Sequence, residues 1–326
     1  MAADILLVSL GSTAGLRAAD AELAGALERA GASVAVATAG APHEVRTFAL
    51  TDLVWARAAR AAARRGIAEH RPRAIVYCTI TAAILWPRAG AVRYDAPAAA
   101  NRPGRHGVWQ RPLERRRLRE APLLVPQAPG TLAESPSPHA RAVVVPIPVE
   151  PSGPAAGERD IAAITYAANP EKKGLDRVLA AWAAARRDGE ELVVTGTDRV
   201  PRAAGVRAAG PLARAAYRDL LRRARVFVTA PRREDYGVAQ LEALADGCLL
   251  VTSAAPGPYA ALPIASALDP RLVSDDLAGA LRAALDDPLT GYAERALEAI
   301  APYRRAATDA TVREELLPAL LSARAS

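Results

Sequence analysis

Lysine is nearly absent from this 326-residue chain: of 42 basic residues only two are lysine, the adjacent pair Lys172 and Lys173, and the rest are arginine. Cysteine and methionine are as scarce, with two and one, and aromatic residues make up 4%. Each scarcity excludes something. Cys78 and Cys248 sit in separate apolar runs with neither zinc-site nor disulfide-framework spacing, so both are expected as buried thiols in a reducing cytoplasm. Few aromatics and no recognition motif argue against a nucleic-acid partner, because single-strand binders stack bases on aromatic rings. The opening residues MAADILLVSLG lack a basic leader and carry Asp4, which reads as a buried first strand and not as a signal peptide. The longest uncharged run, residues 247–268, is interrupted by Pro256, Pro258 and Pro263 and is not expected to span a membrane. Twenty-six prolines beside two Asn and three Gln fit both a heat-stable protein and a GC-rich genome.

What is present is half apolar, at 51%, and long enough for two domains of roughly 150 residues. The Pro/Gly/Ser-rich stretch 146–158 marks the boundary. The expected organisation is a first domain over 1–148, a linker over 149–158, a second domain over 159–302 and a closing segment over 303–326. Apolar runs alternate with helical patterns in both halves, which implies parallel sheets covered on both faces. In the first half, strands are expected at 4–10, 33–37, 74–78, 91–95 and 122–125, with helices at 16–30 and 52–70. The turn at 11–15 follows strand one at the carboxyl edge, where ligands of such sheets bind. It carries Gly11, Ser12, Gly15 and Arg17 but no dinucleotide fingerprint. Asp95 at a strand end and His106 in the Pro/Gly-rich stretch 96–107, beside Asn101, Arg102 and Arg105, are further candidates on that edge.

Charge is shared unevenly. Residues 1–150 hold 19 arginines against 12 acids, whereas residues 151–326 hold 23 basic and 23 acidic residues. The surplus gathers in Arg57, Arg60, Arg64, Arg65, Arg71 and Arg73, and again in Arg111, Arg115, Arg116, Arg117 and Arg119. With Trp55 beside the first group, helix 52–70 has the composition of an interfacial helix. A solvated arginine-rich face is the competing reading.

The second half carries the pattern with chemistry in it. Residues 234–247 read EDYGVAQLEALADG, with Glu234 in a loop after an apolar strand at 226–230 and Glu242 inside the helix that Gly237 opens and Gly247 closes. A strand end, a glycine and free helix N-terminal amides make an anion site, and carboxylates beside it suit the hydroxyls of a sugar or a ribose. Upstream, both lysines stand together at Lys172-Lys173-Gly174, read as the start of a helix running to about 187, after a strand at 161–166. A compact ammonium at a helix start suits a phosphate, and arginine is no substitute for it there.

These residues resemble a known group. Glu234-Asp235-Tyr236-Gly237 followed by Leu241-Glu242-Ala243-Leu244-Ala245-Asp246-Gly247 is similar to the Glu-x7-Glu signature of the GT-B glycosyltransferases, in their retaining, family-4-like branch. The Lys-Gly step resembles that group's second donor motif, and the likeness is specific over residues 158–255. It implies two Rossmann-like parallel-sheet domains facing a deep cleft, with a C-terminal helix returning to the first domain. It also implies transfer of a hexose-type sugar from a nucleotide diphosphate sugar, UDP first and GDP second, to a hydroxyl acceptor that is a glycan, a lipid-linked molecule or a small molecule.

In that scheme Lys173, with Lys172, neutralises the leaving diphosphate beside the Gly237 and Val238 amides, Glu234 touches the transferred sugar and Glu242 holds the ribose. Asp235, Tyr236, Gly210, Pro211 and Asn169 complete the donor side. Gly11, Ser12, Gly15, Arg17, Asp95 and His106 face the cleft from the first domain. No metal or other cofactor is expected, since no DxD motif is present. The protein is expected in the cytoplasm, with the inner face of the membrane as a candidate peripheral location. One departure stands out: where relatives place a Gly-Arg step, this chain has Tyr166-Ala167-Ala168-Asn169. Half the phosphate clamp is missing, and Arg232, Arg233 or Arg17 are its candidate replacements. A nucleotide-sugar epimerase of the same fold and a catalytically silent nucleotide-sugar-binding protein are the alternative readings.

Overall fold

The computed structural model describes residues 2–41, 48–101, 104–136, 141–154 and 159–322. The chain divides into two compact units, Met1–Pro148 with Arg305–Ser326, and Val149–Arg304. Residues 155–158 of the expected linker and 323–326 of the expected closing segment lie outside the described residues. Val149 to Pro154 belong to the second unit.

The first unit is built on five parallel strands, β1 (Ile5–Ser9), β2 (Val34–Thr38), β3 (Ala74–Tyr77), β4 (Ala91–Tyr94) and β5 (Leu124–Pro126), in the order β2-β1-β3-β4-β5. Between them run α1 (Ala14–Arg29), α2 (Phe48–His70), α3 (Ile80–Ile84), α4 (Ala98–Asn101) and α5 (Gln110–Glu120), and α6 (Pro129–Ala133) follows β5. Thr13 caps α1 by accepting from Leu16 N at 3.2 Å, and Thr79 caps α3 by accepting from Ala82 N at 3.1 Å, as short hydroxyl side chains do at free helix amides. Strands buried on both faces need cover on both. Ala56, Ala59 and Ala63 of α2, Ala82 of α3 and Leu118 of α5 pack on Leu6, Val8, Ile75 and Val92. Leu23 and Leu27 of α1 pack on the opposite face with Val312, Leu316, Ala319 and Leu320, which come from the far end of the chain. That C-terminal return explains why residues 305–322 belong to this unit.

The second unit repeats the plan with β6 (Ile161–Tyr166), β7 (Leu192–Thr195), β8 (Val206–Gly210), β9 (Ala224–Thr229) and β10 (Leu249–Thr252), all parallel, in the order β10-β9-β6-β7-β8. Its helices are α7 (Leu175–Ala185), α8 (Arg214–Arg223), α9 (Val238–Ala245), α10 (Ala261–Leu268), α11 (Leu277–Asp286) and α12 (Tyr292–Ala299). In the first unit α13 (Arg305–Thr311), a π-helical turn (Val312–Leu316) and α14 (Leu317–Ser322) close the chain. The two sheets are wound differently. The second has the 3-2-1-4-5 order of dinucleotide-binding sheets and the first the 2-1-3-4-5 order of flavodoxin-like ones. The stretch 96–107, expected as a loop, is partly helical, with α4 and a 3-10 turn at Gly104–Gly107. Among the described residues no helix is long and apolar enough to cross a membrane.

Candidate active site

Strand order in the second sheet reverses at β6, with β7 and β8 on one side and β9 and β10 on the other. Ligands of open parallel sheets lodge outside the carboxyl ends of the strands at such a point, between the loops that diverge there. Here those loops are residues 167–174 after β6 and 230–237 after β9. Between them they hold both lysines of the chain, Glu234 and Asp235.

The loop after β6 is a tight turn. Asn169 Oδ1 accepts from Lys172 N at 3.0 Å and Asn169 O accepts from Lys173 N at 2.9 Å, so the Asn169 side chain serves the turn itself. Gly174 ends it at φ 63°, and a Cβ there would collide with the Ala230 carbonyl oxygen. The expectation of a helix opening at Lys172 is therefore corrected. The left-handed glycine starts α7 at Leu175, and both lysines stand ahead of it, where their side chains are not aligned along a helix face. Arg232 N donates to Lys172 O at 3.0 Å, which ties the two loops together at the backbone.

Across this seam Lys173 Nζ lies 2.6 Å from Glu234 Oε2 and Lys172 Nζ lies 2.6 Å from Asp235 Oδ2. Glu234 is buried and also accepts from Gln240 Nε2 at 2.9 Å, while its own amide donates to Pro256 O at 3.0 Å. Lys173 is the more enclosed lysine, with 19% of its side chain exposed against 44% for Lys172. Burial works to raise the Asp235 carboxyl, but Lys172 and Arg233, whose Nε is 2.8 Å away, outweigh it and hold the group below its ordinary range. Tyr236 is buried with its ring edge-on to Tyr303 at 6.5 Å. Gly237, at φ 90°, caps α9 and lies against the Tyr259 ring, and Val238 is the first residue of the helix.

Glu242 engages different cations. Its Oε1 lies 2.7 Å from Arg214 Nη2 and 3.4 Å from Arg218 Nη1. Burial pushes its carboxyl up, and the two guanidiniums offset this incompletely, with Asp246 adding to the rise. Beside it the Tyr166 and Tyr217 rings meet at 5.5 Å, and burial together with the Glu242 charge raises both phenols. Arg218 Nε reaches Asp246 Oδ2 at 2.6 Å in a nearly solvent-free pair, Arg218 Nη2 donates to Glu150 O at 2.8 Å, and Asp246 accepts from Ser152 N at 2.8 Å. Asp246, the last acid of the run at 234–247, thus fastens the start of the second unit. Sequence reasoning missed Asp246, Arg214 and Arg218, because nothing local marks a pair whose members are 28 residues apart. Gly210 lies beside Asp198 at the end of edge strand β8 and Pro211 follows it, so both stand two strands away from β6.

In the first unit the order reverses between β1 and β3. Gly11 O accepts from Arg17 Nη1 at 2.7 Å, which turns that guanidinium back onto its own loop, and Gly11 N donates to Ser9 Oγ at 3.1 Å. Ser9 Oγ in turn donates to Asp20, which pairs with Arg93 at 3.4 Å; both are buried, and burial raises the Asp20 carboxyl despite these partners. No sequence signal marked this network. Ser12 is exposed ahead of α1 and Gly15 is in its first turn. Asp95 is exposed beyond β4, its Oδ1 accepting from Ala96 N at 2.8 Å. The side chains of His106, Asn101 and Arg105, and all of Arg102, lie outside the described residues. Cys78 and Cys248 are buried free thiols, as expected, and burial pushes Cys248 up to about 12. Among the described residues no three His, Cys, Asp or Glu side chains gather as metal ligands.

Residues 159–287 match the family described as "Glycosyl transferases group 1". No curated protein sequence matches the chain. Solved structures do. A sucrose-phosphate synthase from Thermosynechococcus elongatus superposes with TM-score 0.73 at 15% identity, over 94% of this chain and 96% of that one. WaaG, a glycosyltransferase involved in lipopolysaccharide biosynthesis, gives 0.70 at 15% identity over 98% and 99%. HepE from Anabaena, solved with UDP and glucose, gives 0.67 at 13% identity over 96% and 98%. At these identities the agreement is one of fold, and the fold is GT-B.

Proposed function

With residues 159–287 a group 1 glycosyltransferase domain in a GT-B chain, we propose that the protein is a retaining, metal-independent hexosyltransferase that uses a UDP-sugar donor. One observation carries the reading. The reversal point of the second sheet, where a ligand is expected on topological grounds, is where both lysines of an otherwise lysine-free chain meet a buried glutamate and aspartate.

Departure of the nucleoside diphosphate breaks the bond between the anomeric carbon and the phosphate oxygen and leaves negative charge on the phosphates. Stabilising that growing charge is the enzyme's main task. Lys173 supplies the cation, with Lys172 and the first amides of α9 around it. An ammonium about 4 Å from a phosphate charge contributes roughly 4 kcal/mol at an effective dielectric near 20. The pair with Glu234 pre-positions both groups: the diphosphate engages Lys173 while the sugar hydroxyls engage the Glu234 carboxylate. Glu242, an ionised acceptor beside the Tyr166 ring, holds the ribose hydroxyls. Arg232 takes the place of the missing arginine, because its guanidinium is held by exposed Asp176 at 2.8 Å, whereas Arg233 is turned onto Asp235. The leaving phosphate accepts the proton of the incoming hydroxyl on the same face, so configuration is kept. The acceptor is a hydroxyl compound, and the basic layer of the first unit points to one offered at a membrane surface on the cytoplasmic side.

Calorimetry with UDP and a UDP-release assay with UDP-hexoses test the proposal. UDP binding and release that accelerates with added acceptor are expected. Conversion of the donor alone identifies an epimerase, and saturation without any product identifies a binding protein.

A further inference from the structure

We propose that the helical layer α2–α3–α5 of the first unit is a docking surface for an anionic lipid bilayer. The three helices lie side by side on one face of the first sheet, with α3 touching both neighbours. Ala56, Ala59, Ala63, Leu118 and Ala121 fill their inner side. The helical period then turns Arg57, Arg64 and Arg65 of α2 and Arg115, Arg116 and Arg119 of α5 away from the sheet, and all six are exposed.

Their pairing sets them apart. Arg116 reaches Glu120 at 2.6 Å, but the other five have no hydrogen-bond or ion-pair partner among the described residues. An arginine content set by codon usage alone gives no reason for such a cluster, and several arginines of the second unit are matched with acids: Arg187 with Asp286, Arg207 with Glu191 and Arg271 with Asp287, each at 2.8 Å, and Arg223 with Asp160. A cluster of like charge repels itself unless an opposing surface lies against it.

Aliphatic exposure decides what that surface is. Leu50, at the start of α2, is 51% exposed and Val108, just ahead of α5, is 63% exposed. The Gln110 amide donates to Asp52 and joins these two helix starts. Trp55 and Trp109 are half-buried behind them, packed on the core. Cations flanked by outward aliphatic side chains and amphipathic tryptophans suit headgroups and the upper acyl boundary together. A nucleic acid would find the arginines but no exposed aromatic ring to stack on. Docking itself is independent of the transferase reading; only its corollary, that the acceptor is membrane-borne, rests on it.

Co-sedimentation of the full chain with phosphatidylcholine vesicles, and with vesicles of equal parts phosphatidylcholine and phosphatidylglycerol, tests the docking. Binding to the anionic vesicles alone is expected. The combined variant Arg57→Gln, Arg64→Gln, Arg65→Gln, Arg115→Gln should lose partitioning several hundred-fold, about fivefold for each near-surface cation, with its melting temperature and UDP affinity kept. Leu50→Ser with Val108→Ser should weaken vesicle binding severalfold at unchanged charge. The matched variant Arg187→Gln, Arg207→Gln, Arg223→Gln, Arg271→Gln should bind vesicles like wild type. Equal binding to neutral vesicles, equal loss in the matched variant, or duplex DNA bound more tightly than anionic vesicles would each overturn the proposal. Wild type that binds vesicles but not UDP leaves the docking intact and removes the transferase reading instead.

Discussion

Arg218 and Arg64 are the same residue under opposite conditions. In the second unit Arg218 is buried, fixed to Asp246 at 2.6 Å and to the Glu150 carbonyl at 2.8 Å. In the first unit Arg64 is exposed on α2 and has no partner among the described residues. The contrast extends to their surroundings, since many arginines of the second unit pair with acids across helices and strands, among them Arg187, Arg207 and Arg282, whereas those of the α2–α5 layer largely face solvent. A shared residue type therefore does two kinds of work: Arg218, like Arg93 with Asp20 in the first unit, holds elements together, whereas the outward arginines of α2 and α5 shape a field. The lysines belong to neither group. Each is set against a buried carboxylate at the reversal point of the second sheet, where a compact, rotatable cation can pass from a carboxylate to a phosphate.

The comparison can be tested most severely at Asp246. Asp246→Ala leaves Arg218 buried without its main counter-charge, so a loss of about 3–5 kcal/mol in unfolding free energy is expected, read by urea denaturation; a loss below 1 kcal/mol would break the distinction between structural and field arginines. Next in size is Lys173→Ala. It should lower kcat/KM about 10²–10³-fold, as removal of one charge-stabilising donor does, while Lys172→Ala does less because that side chain is more exposed. Wild-type turnover in Lys173→Ala would sink the assigned role.

The two glutamates divide by stage. Glu242→Gln should weaken UDP and the intact donor together, whereas Glu234→Gln should keep UDP affinity and lose transfer, because only the sugar contact changes in the transition state. Acid pH sharpens this. Burial raises Glu242 above its ordinary value of 4.5, so protonation sets in at a higher pH than for a free glutamate. UDP affinity should fall on acidification through that window in wild type and stay flat in Glu242→Gln. The stability contribution of the same group runs the other way, present below pH 4.5 and lost as pH rises through the raised value. The smallest effect belongs to Arg64→Ala, expected within about 0.5 kcal/mol of wild type by the same denaturation.

Much of the scaffold was legible because its strands are continuous apolar runs that little else accommodates: the strands at 161–166 and 74–78 stand within a residue of the expected bounds. The short helices α3, α6 and α10 were not anticipated, since stretches of five to eight residues are too short to show a helical period. Helix α5, with the run QRPLERRRLRE, carries so little apolar sequence that it read as a charge run. At the candidate site, Glu234, Glu242 and the lysine pair stood out by spacing and by rarity. Their partners did not: Lys173 and Glu234 are 61 residues apart, and Ser9, Asp20 and Arg93 meet only because β1, α1 and β4 pack together.

Local properties, apolar periodicity and residue rarity, are enough to read a two-part α/β chain with a charge surplus in its first half and a cation-carboxylate pattern in its second. Tertiary packing set the strand order of each sheet, turned the lysines out of the helix at Gly174, joined Asp246 to Arg218 and Glu234 to Lys173, and gave the arginines of α2 and α5 one outward face. Those outcomes depend on which distant side chains share a burial site, and a charge acquires its role from the partner and the dielectric it meets there.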